Sequence, residues 1–418
     1  MIYKKQVMDG YNLHTIKTDK FKLCHIEIIF RNNVVKEELT KRNILFDLLC
    51  ECNKTYNTKR NMLLKLEDEY NAQVYDVTSK VGNAVISNIC MDFLSPSYIE
   101  EDISESVMKL LFDLIFNPLV NNNEFDSKLF NFVKERIRDE IKSIKESPKK
   151  YALLNSLKYL GDIPSSYGSI GTLEDLDNIT PENLYYYYMS VLKHDYVDVY
   201  VIGNLDMEKI TKYVTKYAKF NIIKNHEFKM YVDNPKGKLA IKSEKYHYVQ
   251  SNIIVILNLN KLTAYEKKYV ANLYNIILGG GSLETKLYKK LRGENSLCYN
   301  VSSMYQKYDG LFIISTAVDV NANKKAIKLI KEAIKEMSNN ISDNELSQAK
   351  MLINTSLNMN KDNIGRIVDN YFYQDVSDLD DFETRIETFK NVTKEEIYSL
   401  SKKINIKVIY TLEGETHE

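Results

Sequence analysis

The side chains that could do chemistry are few, and their spacing rules out more than it admits. The six histidines are His14, His25, His194, His226, His247 and His417. No two stand four apart, the spacing that sets two imidazoles on one helix face to grip a metal ion. A tetrahedral zinc site built from this chain alone is therefore not expected. His25 falls in an alternating run and reads as a core or edge residue of a strand. Cys50 and Cys52 are close together, but with no second pair nearby they read as ordinary helix cysteines. Carboxylates cluster at Glu67/Asp68/Glu69, Glu100/Glu101/Asp102, Asp139/Glu140 and Asp380/Asp381. Acid–base work needs one member of a pair buried so that the two pKa values split, and runs of this kind read as solvated helix faces.

A stronger signal lies at residues 278–299. Gly279, Gly280 and Gly281 close an apolar stretch and are followed by Ser282, placed as a helix N-cap, and by Leu283, Leu287 and Leu291 at helical spacing. Neither the phosphate-loop pattern nor the dinucleotide fingerprint is present, since no Gly-Lys-Ser/Thr follows and no G-x-G-x-x-G opens a helix behind a strand. The glycines read as a structural turn. Arg292 and Tyr299 come next, seven positions apart. A guanidinium and a phenol suit a carbonyl that develops negative charge. The plainer reading is that Arg292 complements the dipole at a helix end.

The elements that must position these residues are set by pattern and length. The chain has 418 residues, which is long for one core. Lys+Arg and Asp+Glu are both 57, so no net field draws nucleic acid or an anionic membrane. No apolar run approaches the roughly 18 residues of a membrane span. The N-terminus lacks the apolar core of a signal peptide. Five cysteines, an odd number, fit a reducing compartment, and a cytoplasmic location is expected.

Residues 21–30 alternate and predict a strand with one face buried. Helices are expected at about 37–53, 58–70 (capped by Thr58), 98–116 and 124–146, with strands at 72–80 and 83–93. After these come a helix carrying the aromatic run Tyr185–Tyr188, a strand at 198–203, a helix at 207–220 and a polar linker at 221–237. The second half repeats this grammar. Its strands are expected at 239–244, 251–259, 299–305, 310–318 and 406–412, and its helices at 264–278, 282–291, 323–337, 342–359 and 394–402. This predicts an α+β fold of two homologous α/β-sandwich domains, 1–222 and 223–418, each a mainly antiparallel sheet covered by helices.

Taken in order, these segments resemble the pitrilysin/insulinase family of zinc peptidases. Leu278 to Ser282, Leu287, Leu291-Arg292, Leu297-Cys298-Tyr299, Gly310 and Phe312 resemble its C-terminal domain. Leu66–Glu69 with Asn71-Ala72 and Thr78-Ser79, Ser147-Pro148, and Val201–Asp206 resemble landmarks of its N-terminal domain. The family's catalytic half carries H-x-x-E-H on a helix. Here that helix reads Asn43-Ile44-Leu45-Phe46-Asp47-Leu48-Leu49-Cys50-Glu51-Cys52, and both histidines are replaced. Glu140 stands where the resemblance places a third ligand. The resemblance implies substrate-binding roles for Arg292 and Tyr299 and no metal site in this chain.

The resulting expectation is a non-catalytic subunit of a heterodimeric peptidase. It would supply Arg292 and Tyr299 to a zinc-bearing partner that processes or degrades a peptide, with zinc held only by the partner. The alternative is a non-enzymatic scaffold or peptide-binding protein that keeps the fold. Neither nucleic acid nor a membrane span is expected.

Overall fold

The computed structural model describes residues 1–221, 227–232, 238–281 and 283–415. Chain contacts divide them into two units, 1–142 with 168–229, and 143–167 with 230–418. The boundary expected at 222/223, the core of the 221–237 linker, His226, Ser282 and His417 lie outside the described residues.

The first unit is built on a six-stranded sheet. Its strands are β1 (Ile2–Met8), β2 (Tyr11–Lys17), β3 (Leu23–Asn33), β4 (Gln73–Val81), β5 (Ala84–Leu94) and, after the two-residue ladder β6 (Val120–Asn121) and β7 (Glu124–Phe125), β8 (Tyr196–Gly203). Their order is β1-β2-β8-β3-β5-β4, antiparallel except for the β2–β8 pair. Helices α1 (Leu39–Glu51), α2 (Lys59–Asp68), α3 (Ser104–Phe116) and α4 (Ser127–Ser143) follow in chain order, with others at Pro181–His194 and Met207–Tyr217. Thr58 caps α2 by accepting from Asn61 N at 3.2 Å, as its type and position predict.

The second unit has the order β11-β12-β10-β13-β9 for strands β9 (Ala240–Lys245), β10 (Ser251–Leu259), β11 (Val301–Gln306), β12 (Leu311–Val318) and β13 (Ile404–Glu413), with β13–β9 parallel. Without β1, the first sheet reads β2-β8-β3-β5-β4, also with the parallel pair at one end. The two sheets therefore match strand for strand, which is the repeated grammar of the sequence made visible. Both are mainly antiparallel and helix-covered, so the expected α+β class holds.

Strand β2 (Tyr11–Lys17) was not expected, and three further features were not legible in advance. β1 is an exposed edge strand rich in lysine, and its polar composition hides the alternation that would announce it. Helices Ile364–Ser377 and Phe382–Asn391 fall in a stretch without strong punctuation. Helix α5 (Pro148–Leu157) lies in a glycine- and proline-marked region, yet Ala152, Leu157 and Leu160 pack on Ile254, Ile256, Ile313 and Tyr410 of the second sheet. The second sheet is thus covered on both faces, because Leu273, Leu287, Leu291 and Ile330 pack on Val255, Leu257 and Phe312 from the other side.

β3 departs from the one-sided burial expected of it. Cys24, Ile26, Ile28 and Phe30 face the helices, as predicted, but His25, Glu27, Ile29 and Arg31 are buried too. The second face is polar and shielded. Tyr187 and Tyr188 pack inside the first unit. The Tyr188 hydroxyl donates to Ile115 O at 2.7 Å, and its ring meets Phe125.

Candidate functional site

The stretch that replaces the metal-binding motif lies on α1. This helix is buried nearly all round, from Leu39 and Arg42 to Leu48, Leu49 and Glu51. Arg42 holds it to the sheet through Asp195 at 2.6 Å, Ser87 Oγ at 2.8 Å and Phe30 O at 3.0 Å. In the register that starts at Asn43, Phe46 takes the place of the glutamate and Asp47 that of the second histidine. The Asn43 amide donates to Leu39 O and Ser169 O at 2.8 and 2.9 Å, so its hydrogens are spent on backbone. Phe46 is a core residue whose ring meets Phe30 edge-on at 5.2 Å.

Asp47 is held by a guanidinium. Arg136 of α4 donates from Nε to Asp47 Oδ2 at 3.0 Å, makes a second, closer contact to Asp47 Oδ1, and pairs with Glu51 at 2.7 Å. Lys59 reaches Glu51 at 2.8 Å. Burial pushes the Asp47 carboxyl up, and Arg136 opposes that. Asp76 of β4 is pushed up to about 7 by burial and by Asp47 beside it. Glu140, one turn beyond Arg136, is exposed. An amide already bonded, a phenyl ring and a carboxylate paired to a permanent cation do not fit a zinc ion. The residues at this place form an ion-pair cluster instead.

The second site is built from the glycine turn and the helix behind it. Asn275 O accepts from Gly279 N at 3.0 Å and Gly280 N at 2.8 Å, and Ser303 N donates to Gly279 O at 3.0 Å. A Cβ at Gly279 would come within 2.9 Å of Ser303 N, and one at Gly280 within 2.8 Å of Asn275 O. Close approach of backbone to backbone, Gly279 against β11 and Gly280 against the end of the preceding helix, is why glycine stands at both positions. The next helix is capped by Thr285, which accepts from Tyr288 N at 3.3 Å, and runs from Lys286 through Gly293 with a π-helical end. The start expected at Ser282 thus shifts by one turn. Leu287 and Leu291 anchor the helix in the core, and Lys286 is paired with Glu345 at 3.0 Å.

This scaffold brings Arg292 and Tyr299 together. The Arg292 guanidinium donates to Tyr299 O and lies 4.6 Å from the Tyr299 ring centroid and 5.5 Å from that of Tyr288. Tyr299 is 83% exposed. It borders a cavity of about 240 Å³ lined also by Lys149, Asn252, Ile254, Asn300 and Ser315. Arg292 therefore does more than complement a helix end. It stiffens the backbone that presents the phenol, and the cavity beside that phenol has amide, hydroxyl and ammonium groups that can pair with a peptide backbone.

A third cluster, on the polar face of the first sheet, carried no signal in the sequence. His25 Nδ1 lies 2.6 Å from Asp92 and Nε2 3.3 Å from Glu27. Burial alone would lower its pKa, but these two partners outweigh burial and raise it to about 9. Nearby, Asp198 is buried, which would raise its carboxyl, yet hydrogen bonds from His14 and Asn12 and the charge of Arg31, 3.0 Å away, hold it well below the usual carboxylate range.

These arrangements define a class. The chain resembles pitrilysin-like homologues that lack the catalytic motif. A family model described as the peptidase M16 inactive domain matches residues 178–353. Among curated proteins, the probable inactive metalloprotease YmfF of Bacillus subtilis is 25% identical over 97% of this chain and 96% of its own length. A conserved protein of Enterococcus faecalis superposes with a TM-score of 0.93 at 23% identity, over 100% of this chain and 99% of that one. A peptidase M16 inactive domain from Pseudomonas fluorescens superposes at 0.82 and 17%, over 100% of both chains. At these identities the solved structures establish the fold. Among the described residues no helix is long and apolar enough to cross a membrane.

Proposed function

We propose that this chain is the non-catalytic subunit of a two-chain peptidase, supplying Arg292 and Tyr299 to hold a peptide that a zinc-bearing partner cleaves. One contrast carries the reading. The place of the metal motif is filled by Phe46 and the Arg136–Asp47–Glu51 cluster, while Arg292 and Tyr299 are assembled beside an open cavity that offers a few polar groups. The phenol would donate to a substrate carbonyl. Arg292 would fix the phenol's position and, on releasing Tyr299 O, offer its own donors. The five cysteines, all free, agree with work in the cytoplasm.

The test is to purify this chain alone and together with a homologue carrying H-x-x-E-H, then measure peptide cleavage. Cleavage that needs both chains and falls about 10-fold or more in Tyr299→Phe and Arg292→Ala supports the subunit role. Peptide binding without cleavage by the pair would favour the scaffold reading. Zinc-dependent cleavage by this chain alone would refute both.

A further inference from the structure

The polar face of the first sheet carries a set of donors that the peptidase reading does not use. β3 and β5 pair in direct register there, with His25 opposite Asp92 and Glu27 opposite Cys90. A ring nitrogen of His25, a carboxylate oxygen of Glu27 and the sulfur of Cys90 lie within 4.8 Å of one another, and all three residues are buried. His25 Nε2 and Glu27 Oε2 are 3.3 Å apart. That matches the edge of a tetrahedron of ligands held about 2.0–2.1 Å from a zinc ion.

The surroundings are those of an oriented ligand set. His25 Nδ1 is tied to Asp92 at 2.6 Å, and Tyr75 donates to the other Asp92 oxygen at 3.3 Å. A carboxylate on the far nitrogen is what fixes the tautomer and direction of a metal-binding imidazole. The Asn88 amide donates to Glu27 Oε1. Its own oxygen is buried, and among the described residues it meets no donor. An acceptor left unmatched beside a carboxylate is costly unless a cation or a donor arrives. Every member sits on a strand, so little ordering remains to be done on binding.

We propose that His25, Glu27 and Cys90 form a binding site for one divalent transition-metal ion of the zinc class, with Asp92 orienting the imidazole. The mixed nitrogen, oxygen and sulfur set selects against magnesium and calcium. Binding places the ion between His25 Nε2 and Glu27, and the thiol proton, with any proton on Nε2, passes to solvent. The fourth position is open to Asn88 Oδ1 or water. The site is separate from the degenerate motif, because α1 packs on the opposite, apolar face through Phe30 and Phe46.

The full chain, stripped with a chelator, is titrated with Co²⁺ and then with Zn²⁺. One equivalent of Co²⁺ is expected to produce a thiolate-to-metal charge-transfer band that Zn²⁺ displaces. Cys90→Ser should abolish the band, and Asp92→Asn should weaken binding about 10- to 100-fold. The wild-type spectrum needs no variant to fold, and absence of a stoichiometric thiolate band overturns the proposal. So does a band that survives in a Cys90→Ser protein with wild-type circular dichroism.

Discussion

Replacing Arg136 by Gln tests whether a fixed cation holds together the place where the metal motif has been lost. Arg136 is the shared partner of Asp47 and Glu51, with Asp76 close by. Its side chain is 38% exposed, whereas those of Asp47 and Glu51 are 19% and 7% exposed. Breaking a fully buried ion pair costs about 3–5 kcal/mol, and an exposed pair is worth about 0–1 kcal/mol. A guanidinium more than a third exposed, serving two shielded carboxylates, falls between, and a loss of roughly 2–3 kcal/mol is expected at pH 8. The pH dependence distinguishes this cause from lost packing on Phe132, whose ring lies 5.3 Å from the guanidinium. Asp47 and Asp76 are raised above their ordinary values by burial. A carboxyl raised in the folded state contributes most below its unfolded value and costs stability as pH rises through the folded one. Without Arg136 both rise further, so the loss should grow from pH 5 to pH 8 and fall below about 1 kcal/mol at pH 5. The assay is urea unfolding by circular dichroism across that range, with the first unit's transition assigned by hydrogen exchange of α1 amides. A loss that is flat with pH, or larger at pH 5, would refute the electrostatic account.

Other substitutions probe the same framework. Asp76→Asn should stabilise the first unit at pH 8, by at most about 4 kcal/mol for a carboxyl moved from 3.8 to about 7, and be neutral near pH 4; urea midpoints at both pH values check this. Asp195→Asn leaves the buried Arg42 charge short of its partner and should cost about 3–5 kcal/mol by the same measurement. Gly280→Ala forces a Cβ against Asn275 O and should lower stability by about 1–3 kcal/mol. Hydrogen exchange should then show faster opening at Ser303. Phe46→Ala empties a packed core position and should cost about 3–5 kcal/mol in a thermal melt at any pH.

What could be read in advance was local. Gly279 to Gly281, Arg292 and Tyr299 lie on one short stretch, so their types and spacing carry the turn, the helix and the meeting of guanidinium with phenol. The loss of the metal motif was equally plain, since it is written in consecutive residues of α1. What replaced it was not. Arg136 lies 89 positions from Asp47, and nothing in either segment marks the other. His25 and Asp92 are 67 positions apart and meet only because β3 and β5 pair in one register. Alternation did identify β3 as a strand. It also suggested that the face bearing His25 and Glu27 was open, because period-two reasoning assigns charged residues to solvent. In this sheet those charges are buried and paired with each other.

Helix α5 has a further consequence for the wholeness of the molecule. Because residues 143–167 group with the second unit while 168–229 return to the first, the backbone passes between the units three times, not once. A single protease cut between residues 222 and 237 would therefore not yield two independent halves. The N-terminal fragment would still own Ala152, Leu157 and Leu160, which cover Ile254, Ile256 and Tyr410 of the C-terminal fragment, and the nicked pieces would stay associated until that layer is peeled away. Conversely, a C-terminal half expressed alone would begin life with an uncovered apolar sheet face, a surface prone to self-association. Although the two halves match strand for strand, each is no longer a self-sufficient copy of the other.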